Sequence, residues 1–248
     1  MNEIKKFELE REGLIKSNGG KKILKEAAHN FLEKSAAVNY SYNFSWMGRP
    51  IIQYPQDIIA MQEIIWKVKP DVIIETGIAH GGSLIFSASM LTLLESCGEI
   101  EKGEVLGIDI DIREHNKEAI EAHPMGKKIT MFQGSSIDEA MVKKVHQFAK
   151  RGKKILVCLD SNHTHEHVLA ELRAYANLAS VGSYCIVFDT LIEDMPKSFY
   201  DRPWDVGDNA KTAVWEFLKE NDDFVIDKDI ENKILITVAP DGYLKRVQ

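Results

Sequence analysis

Two short segments carry the side chains best suited to chemistry, and the first is residues 75–83. It contains, directly after an apolar run, an acid, three glycines and a serine: Glu75, Gly77, Gly81, Gly82 and Ser83. Glycines allow backbone angles and close approaches that a Cβ atom prevents. The free N–H groups at the start of a following helix point at whatever binds there. The segment predicts a cofactor-binding turn between a buried strand and a helix.

The spacing of the glycines indicates which cofactor. A dinucleotide-binding turn follows Gly-x-Gly-x-x-Gly, but the residue two positions after Gly77 is Ala79. The pattern present, Glu-x-Gly-x-x-x-Gly-Gly, resembles the first motif of class I S-adenosylmethionine (SAM)-dependent methyltransferases, whose acid reaches the methionine end of the cofactor. A tight turn that binds no ligand is the alternative for so short a motif.

The second segment, residues 160–167, contains Asp160 and the histidines His163, His165 and His167. His163 and His167 are four residues apart and would share a helix face as metal ligands, yet the usual metallo-hydrolase patterns are absent from the sequence. We expect His165 and His167 to be solvated residues of a first helical turn. His163 would face a cleft, where a neutral imidazole acts as general base.

The elements that position these residues alternate between short β-rich runs and helical patterns, which predicts βαβ units and a parallel sheet. Strands are expected at residues 72–75, 105–109, 129–133, 155–160 and 184–189, and helices at about 83–95, 113–122, 137–150, 165–179 and 209–220.

Two further strands are expected at residues 224–226 and 234–239, separated by a polar stretch suited to a hairpin-like reversal. The predicted fold is therefore α/β: a Rossmann-like class I methyltransferase fold with a mostly parallel seven-stranded sheet, a C-terminal antiparallel hairpin and an N-terminal helical extension. That extension contains predicted helices near residues 2–17 and 21–36, followed by an aromatic linker.

We divide the chain into an N-terminal arm or lid, residues 1–45, and a SAM-dependent methyltransferase domain, residues 46–248.

Acids that end parallel strands converge on one edge of the sheet, where ligands bind. This chain has four: Glu75, Asp109, Asp160 and Asp189. A carboxylate at Asp109 is placed to accept both ribose hydroxyls of a nucleoside cofactor, whereas Asp111 is expected to cap the next helix. Ser135 and Ser136 follow the third strand, where they would meet the adenine edge or cap a helix.

Together, these motifs resemble the family that contains the rhamnosyl O-methyltransferases and the so-called cephalosporin hydroxylases. The resemblance rests on residues 75–83, 107–111, 160–168 and 187–190, and it extends from about Trp46 to the C-terminus. It implies SAM contacts at Glu75, Gly77, Gly81 and Asp109. The neighbouring residues that we also expect to contact the cofactor are Ile78, Gly82, Ser83, Ile110, Ser135 and Ser136.

The resemblance also implies a divalent cation, Mg²⁺ or Mn²⁺, held by Asp160 and Asp189. Related sequences carry an acid beside the second aspartate, but here the neighbours are Phe188 and Thr190. A third side-chain ligand is therefore not evident, and His163 is either the base or a ligand. Mg²⁺ often keeps several waters, so two carboxylates and substrate oxygens suffice.

The expected function is SAM-dependent O-methylation of a sugar or sugar nucleotide in surface polysaccharide or glycoside biosynthesis, with Asp160 and His163 catalytic. Aromatic side chains at Trp46, Tyr54, Tyr200 and Trp204 would pack on sugar rings or anchor loops, and Arg49 and Arg202 would bind phosphate or form ion pairs. The alternatives are a metal-dependent hydrolase, an oxidoreductase on the same fold, and a non-catalytic SAM-binding subunit.

The composition of the chain limits the kinds of ligand and the cellular compartment that we expect. A net charge of −7 with dispersed basic residues argues against a nucleic-acid ligand. The three cysteines are far apart in sequence, which indicates a reducing compartment, and there is neither a secretion signal nor an apolar run long enough to span a membrane. We expect a cytoplasmic protein and, from the N-terminal helices, a homo-oligomer.

Overall fold

The structure is a computed structural model that describes residues 2–248. The chain opens with two helices, continues through a short antiparallel hairpin and enters a third helix. These elements are α1 (Glu3–Gly19), α2 (Lys22–Ala36), β1 (Phe44–Trp46), β2 (Arg49–Ile51) and α3 (Pro55–Val68). No helix in the described part of the chain combines the length and the apolar character needed to cross a bilayer.

Seven strands then form one mixed sheet, with helices in the connections. The strands are β3 (Val72–Thr76), β4 (Glu104–Asp109), β5 (Ile129–Gln133), β6 (Ile155–Leu159), β7 (Tyr184–Val187), β8 (Phe224–Ile226) and β9 (Tyr243–Arg246). The helices are α4 (Gly82–Ser96), α5 (Glu114–Glu121), α6 (Glu139–Ala149), α7 (His165–Tyr175), α8 (Ala210–Glu220) and α9 (Lys228–Ile234).

The sheet order is β5-β4-β3-β6-β7-β9-β8, with β3 to β7 parallel and β9 antiparallel to both of its neighbours. Every residue of β3, β6 and β7 is buried, as expected for strands that are covered on both faces. Ile73 belongs to the apolar core that contains α3 and α4, while its neighbour Ile74 belongs to the core that contains α6, α7 and α8. This alternation is the two-residue period of a strand.

The predicted fold class is confirmed: the sheet is seven-stranded, mostly parallel, antiparallel at its C-terminal edge and preceded by a helical extension. The predicted C-terminal antiparallel pair is present as β8 and β9. The predicted bounds of its second strand, residues 234–239, are wrong, and so is the short connection, because α9 lies between the two strands. Leu235 adopts a left-handed φ of 60° at the end of α9, and the N–H of Val238 donates to the Asp57 carboxylate rather than to a strand. The last strand is β9 instead.

The sequence analysis also missed α3 and the β1–β2 hairpin. The division of the chain after residue 45 stays a prediction, and β1 (Phe44–Trp46) spans that boundary. Of the two N-terminal helices, α1 buries none of its residues, whereas α2 contributes Leu32 to the same core as α3 and α4.

Asp57 ties α3 to the segment before β9. Its fully buried carboxylate accepts hydrogen bonds from Thr237 Oγ1 at 2.5 Å, Val238 N at 3.0 Å and Tyr243 OH at 2.8 Å. Burial raises the pKa of Asp57 to about 6, against the opposing effect of these three donors.

Replacing Asp57 by alanine leaves three buried donors without an acceptor, so we expect the free energy of unfolding to fall by about 3 kcal/mol. Urea denaturation measures the loss. Asp229→Ala, which alters an exposed aspartate of α9, should leave stability nearly unchanged. A loss below about 1 kcal/mol for the Asp57 variant would contradict the anchoring role.

Candidate active site

A cleft of about 920 Å³ opens at the carboxyl ends of β3, β6 and β7. Most of its lining comes from the segment before β1, the end of β2 and the segment after it, the glycine turn, the loop between β6 and α7, the residues after β7 and a loop before α8. Representative lining residues are Gln53, Gly77, Asp160, Asp189 and Trp204. The strand ends therefore converge on one site, the geometry expected for a parallel sheet.

Asp160, His163 and Asp189 form a cluster in this cleft. One possible ligand atom from each residue lies within 4.8 Å of the other two. His163 Nε2 is 3.0 Å from Asp189 Oδ2, and its ring meets the Trp204 ring edge-on at 4.8 Å between centroids. The structure thus brings together the three residues that the sequence analysis assigned to catalysis and metal binding.

The electrostatics of the cluster favour a bound cation. Burial, and then the nearby charges of Asp189 and Glu75, raise the pKa of Asp160 well above its usual range. Asp189 adopts a left-handed conformation with φ 56° and ψ 21°, which costs energy for a residue other than glycine. Strain of this kind concentrates at functional sites, and a divalent cation would relieve the repulsion between the carboxylates.

Glu75 lies next to the cluster in a deep recess of about 20 Å³, which has room for one small group. Its polar lining consists of Gln53, Asp57, Glu75, Ser83, Ser87 and Asp160, with no lysine, arginine or histidine among the lining residues. Burial raises the pKa of Glu75 to about 7, while the hydroxyl of Ser83 donates to its carboxylate and opposes that rise. A recess with this lining fits a cationic group such as an ammonium.

The glycines of the turn are required by packing as well as by any ligand. Gly77 has a φ of +89°, and a Cβ there would lie 1.9 Å from the carbonyl oxygen of Asp160. A Cβ at Gly82 would lie 2.1 Å from the carbonyl oxygen of Pro50. Gly81 faces the side chain of Ile120 and does not line the cleft, whereas its neighbours in the turn do.

Asp109 is engaged with the protein backbone. Its Oδ2 accepts from the N–H groups of Ile78 at 2.8 Å and Ala79 at 3.3 Å, so it fastens the glycine turn. It is not part of the cleft lining, and Ile110 after it is 73% exposed. Contact of Asp109 and Ile110 with the cofactor stays a prediction. The predicted capping role of Asp111 is wrong, because α5 begins at Glu114.

Ser136 belongs to a buried polar network. Its hydroxyl donates to Glu171 Oε1 at 2.5 Å and lies 3.1 Å from His167 Nε2. Neither it nor Ser135 lines the cleft, so an adenine contact stays a prediction for both. The alternative that one of them caps α6 is wrong, because Asp138 occupies the N-cap position.

His165 and His167 lie in the first turn of α7, as expected, but both are partly buried rather than fully solvated. His165 Nδ1 lies 2.8 Å from Thr212 Oγ1 because α8 packs against α7, and His167 lies 3.4 Å from Glu171. His167 therefore belongs to a different cluster from His163, and the hydrolase alternative that pairs them as metal ligands lacks support.

The sequence analysis missed a role for Gln53, which donates to Asp160 Oδ2 at 3.3 Å. No sequence motif assigns a ligand-binding role to this glutamine, which lies in a loop before the sheet.

Of the two arginines proposed to bind phosphate, Arg49 forms hydrogen bonds within the protein, since it donates to the carbonyl of His80 and to Asn116. Arg202 lines the cleft. Trp46 packs edge-on against Phe86 and does not line the cleft.

The fold is that of class I SAM-dependent methyltransferases. An apo structure of CmcI superimposes with a TM-score of 0.57 at 20% identity, over 84% of this chain and 77% of that one. A CmcI structure with Mg and SAM gives 0.56 at 19% identity, over 84% and 78%. An O-methyltransferase from Bacillus cereus in complex with SAH, S-adenosylhomocysteine, gives 0.50 at 15% identity, over 79% and 81%.

Sequence relatives are more specific. The rhamnosyl O-methyltransferase of Mycobacterium tuberculosis is 29% identical over 236 residues, which cover 89% of each protein. That of Mycobacterium leprae is 26% identical over 213 residues, covering 84% of this chain and 86% of the relative. The sequence profile of the family "Rhamnosyl O-methyltransferase/CmcI" matches residues 38–247. The chain belongs to this family and is a SAM-dependent O-methyltransferase.

The pKa of Glu75 predicts how cofactor affinity depends on pH. Burial raises that pKa to about 7, so the group is neutral at lower pH. The sequence predicts that Glu75 contacts the methionine end of the cofactor, and contact with the ammonium of SAH would then require the loss of a proton. We expect the affinity for SAH to rise between roughly pH 5.5 and 7.5, with proton release on binding at the acidic end. Isothermal titration in buffers of different ionisation enthalpy measures both.

The matched control is Glu75→Gln, which keeps the size of the side chain and removes its titration. This variant should bind SAH more weakly at pH 7.5 and show a flatter pH dependence. A wild-type affinity that is constant across the range would show that Glu75 does not meet the ammonium.

Proposed function

We propose that the protein transfers the methyl group of SAM to a hydroxyl group of a sugar or sugar nucleotide, assisted by Mg²⁺ or Mn²⁺. One observation carries this proposal: the cluster of Asp160, His163 and Asp189 lies in the same cleft as the glycine turn and borders the recess that contains Glu75. This arrangement supports a methyl-donor site beside a site for an alcohol-activating cation.

The donor set fits a hard divalent cation. Asp160 and Asp189 supply carboxylate oxygens, the ligand type that Mg²⁺ prefers, and no basic side chain other than His163 belongs to the cluster. Phe188 is 5% exposed and forms part of the recess wall, and its side chain carries no oxygen ligand. Two carboxylates leave coordination positions for water and for substrate oxygens.

The residues divide the chemical tasks among them. Glu75 and Ser83 would hold the amino group of SAM at the recess, whose walls include the apolar side chains of Phe86 and Phe188. Asp160 and Asp189 would hold the divalent cation, which when bound would supply Lewis-acid activation of the acceptor hydroxyl. His163 takes the hydroxyl proton, and its pairing with Asp189 orients the ring and stabilises the imidazolium that results.

The sugar acceptor is supported by the cleft and by the relatives. Tyr42, Tyr200 and Trp204 line the cleft and are at least partly exposed, and aromatic faces pack well on sugar rings. Tyr54 is only 2% exposed and anchors its loop instead. Arg202 in the same lining suits a phosphate-bearing acceptor. The curated relatives carry the name rhamnosyl O-methyltransferase, which specifies a sugar acceptor for those proteins.

A homo-oligomer and a cytoplasmic location stay predictions. Two observations are consistent with them: α1 exposes large apolar side chains at Ile4, Phe7 and Leu14, and the described cysteines form no disulfide, with Cys158 and Cys185 buried. Surface polysaccharide or glycoside biosynthesis is the proposed setting.

The metal-dependent proposal is tested by turnover of SAM on a panel of rhamnosyl compounds and other sugar nucleotides, with added Mg²⁺ or with EDTA. We expect turnover to require the cation and to fall at least about 100-fold in Asp160→Asn and Asp189→Asn, with SAH affinity unchanged, because both carboxylates hold the cation. Mg²⁺ alone should bind weakly. Full activity in EDTA would contradict the proposal, and tight binding of Mg²⁺ alone would contradict the ligand set.

The base is tested by His163→Gln. Loss of the proton acceptor should lower the turnover number by about 100-fold or more, while SAH and Mn²⁺ affinities stay close to those of the wild type. His165→Gln is the matched control, since His165 bonds to Thr212 and does not line the cleft. Equal loss in both variants, or loss of Mn²⁺ binding in His163→Gln, would show that His163 is not simply the base.

A further inference from the structure

Gln53 reaches the proposed cation site from outside the parallel sheet. It lies in the loop between β2 and α3, and only 7% of its surface is exposed. Its Nε2 donates to Asp160 Oδ2 at 3.3 Å. The residue therefore touches a carboxylate that the proposed function assigns to the cation, although it is far from Asp160 in sequence.

The other end of the same carboxamide has no partner. Oε1 of Gln53 is buried without a hydrogen-bond donor among the described residues. Leaving such an acceptor unsatisfied costs about 1–3 kcal/mol, which a protein tolerates where a ligand completes the contact. Gln53 lines both the recess and the large cleft, so its side chain borders the space where a ligand would enter.

The loop that carries Gln53 is held firmly at both ends. On its N-terminal side, Trp46 Nε1 donates to Ser89 Oγ of α4 at 3.0 Å, and Pro50 packs directly on Gly82. On its C-terminal side, the hydroxyl of Tyr54 lies 2.7 Å from Ser35 Oγ of α2. The carboxamide is thus presented by an anchored segment, as a residue that positions a ligand must be.

The surroundings of Gln53 select the kind of ligand. Its neighbours in the lining of the recess include Asp57, Glu75 and Asp160, which are acceptors when ionised, and a carbonyl oxygen among carboxylates attracts positive charge. Phe188 supplies no oxygen to the site. A neutral amide oxygen at this place adds a ligand atom for a hard cation without adding repulsion to the carboxylate pair.

We propose that Gln53 belongs to the cation site: its N–H group fixes the orientation of Asp160, and its Oε1 supplies an additional neutral oxygen to the divalent cation. This inference rests on the proposed metal dependence and extends it to a residue contributed by the β2–α3 loop.

The test measures Mn²⁺ binding by electron paramagnetic resonance in the presence of saturating SAH. Gln53→Leu should weaken binding by about tenfold, the effect typical of losing a residue that supports a metal ligand. Gln53→Glu has nearly the same shape, and we expect it to bind Mn²⁺ at least as tightly as the wild type, because its carboxylate faces the cation. This opposite direction distinguishes a contact with the cation from general damage to the fold.

Gln56→Leu is the matched control. Its Oε1 is also buried without a partner, but Gln56 lines neither the recess nor the cleft, so this variant should bind Mn²⁺ like the wild type. Unchanged Mn²⁺ affinity in Gln53→Leu would overturn the inference, as would weakened SAH binding with Mn²⁺ binding intact, which would assign Gln53 to the ammonium of the cofactor. If Asp160→Asn binds Mn²⁺ as well as the wild type, the proposed cation site itself is wrong and the inference falls with it.

Discussion

Burial of carboxylates at the ends of the parallel strands is the constraint on which the site depends. The parallel strands β3, β6 and β7 end side by side, and the end of β3 approaches β6 so closely that only glycine fits at position 77. This packing places Glu75 and Asp160 in surroundings less polarisable than water, with the partly exposed Asp189 close to Asp160. The raised pKa values of Glu75 and Asp160 express the cost of their charge. In the proposed complex, the positive charges of an ammonium and a divalent cation would offset that cost.

Parts of the chain outside the sheet complete the site. The β1–β2 hairpin packs on the glycine turn through Pro50, and the loop after β2 reaches Asp160 through Gln53. On the opposite side, Trp204 comes from the loop before α8 and covers His163. The sheet therefore fixes the carboxylates, while the flanking segments shape the cleft and would select the acceptor.

Much of this architecture is predictable from sequence because it follows from local patterns. Alternating β-rich and helical runs predicted β3 to β7, and the rule that ligands bind at strand ends brought Asp160 and Asp189 to one edge. Contacts between distant segments were not predictable. The apolar residues 234–239 have the composition of a strand, but the carboxylate of Asp57 on α3 takes the N–H of Val238. In the same way, the sequence predicted that His165 and His167 are surface residues. In the structure, His165 contacts α8 and His167 lies beside Glu171.

The position of the cation relative to the cofactor tests whether the carboxylates at the strand ends hold a cation beside the methyl donor. Crystals grown with SAH and Mn²⁺ would locate the metal by its anomalous scattering. We expect one strong anomalous peak in contact with Asp160 and Asp189, and the amino group of SAH in the recess beside Glu75. A metal peak remote from these two aspartates, or SAH bound with its amino group away from Glu75, would contradict this expectation.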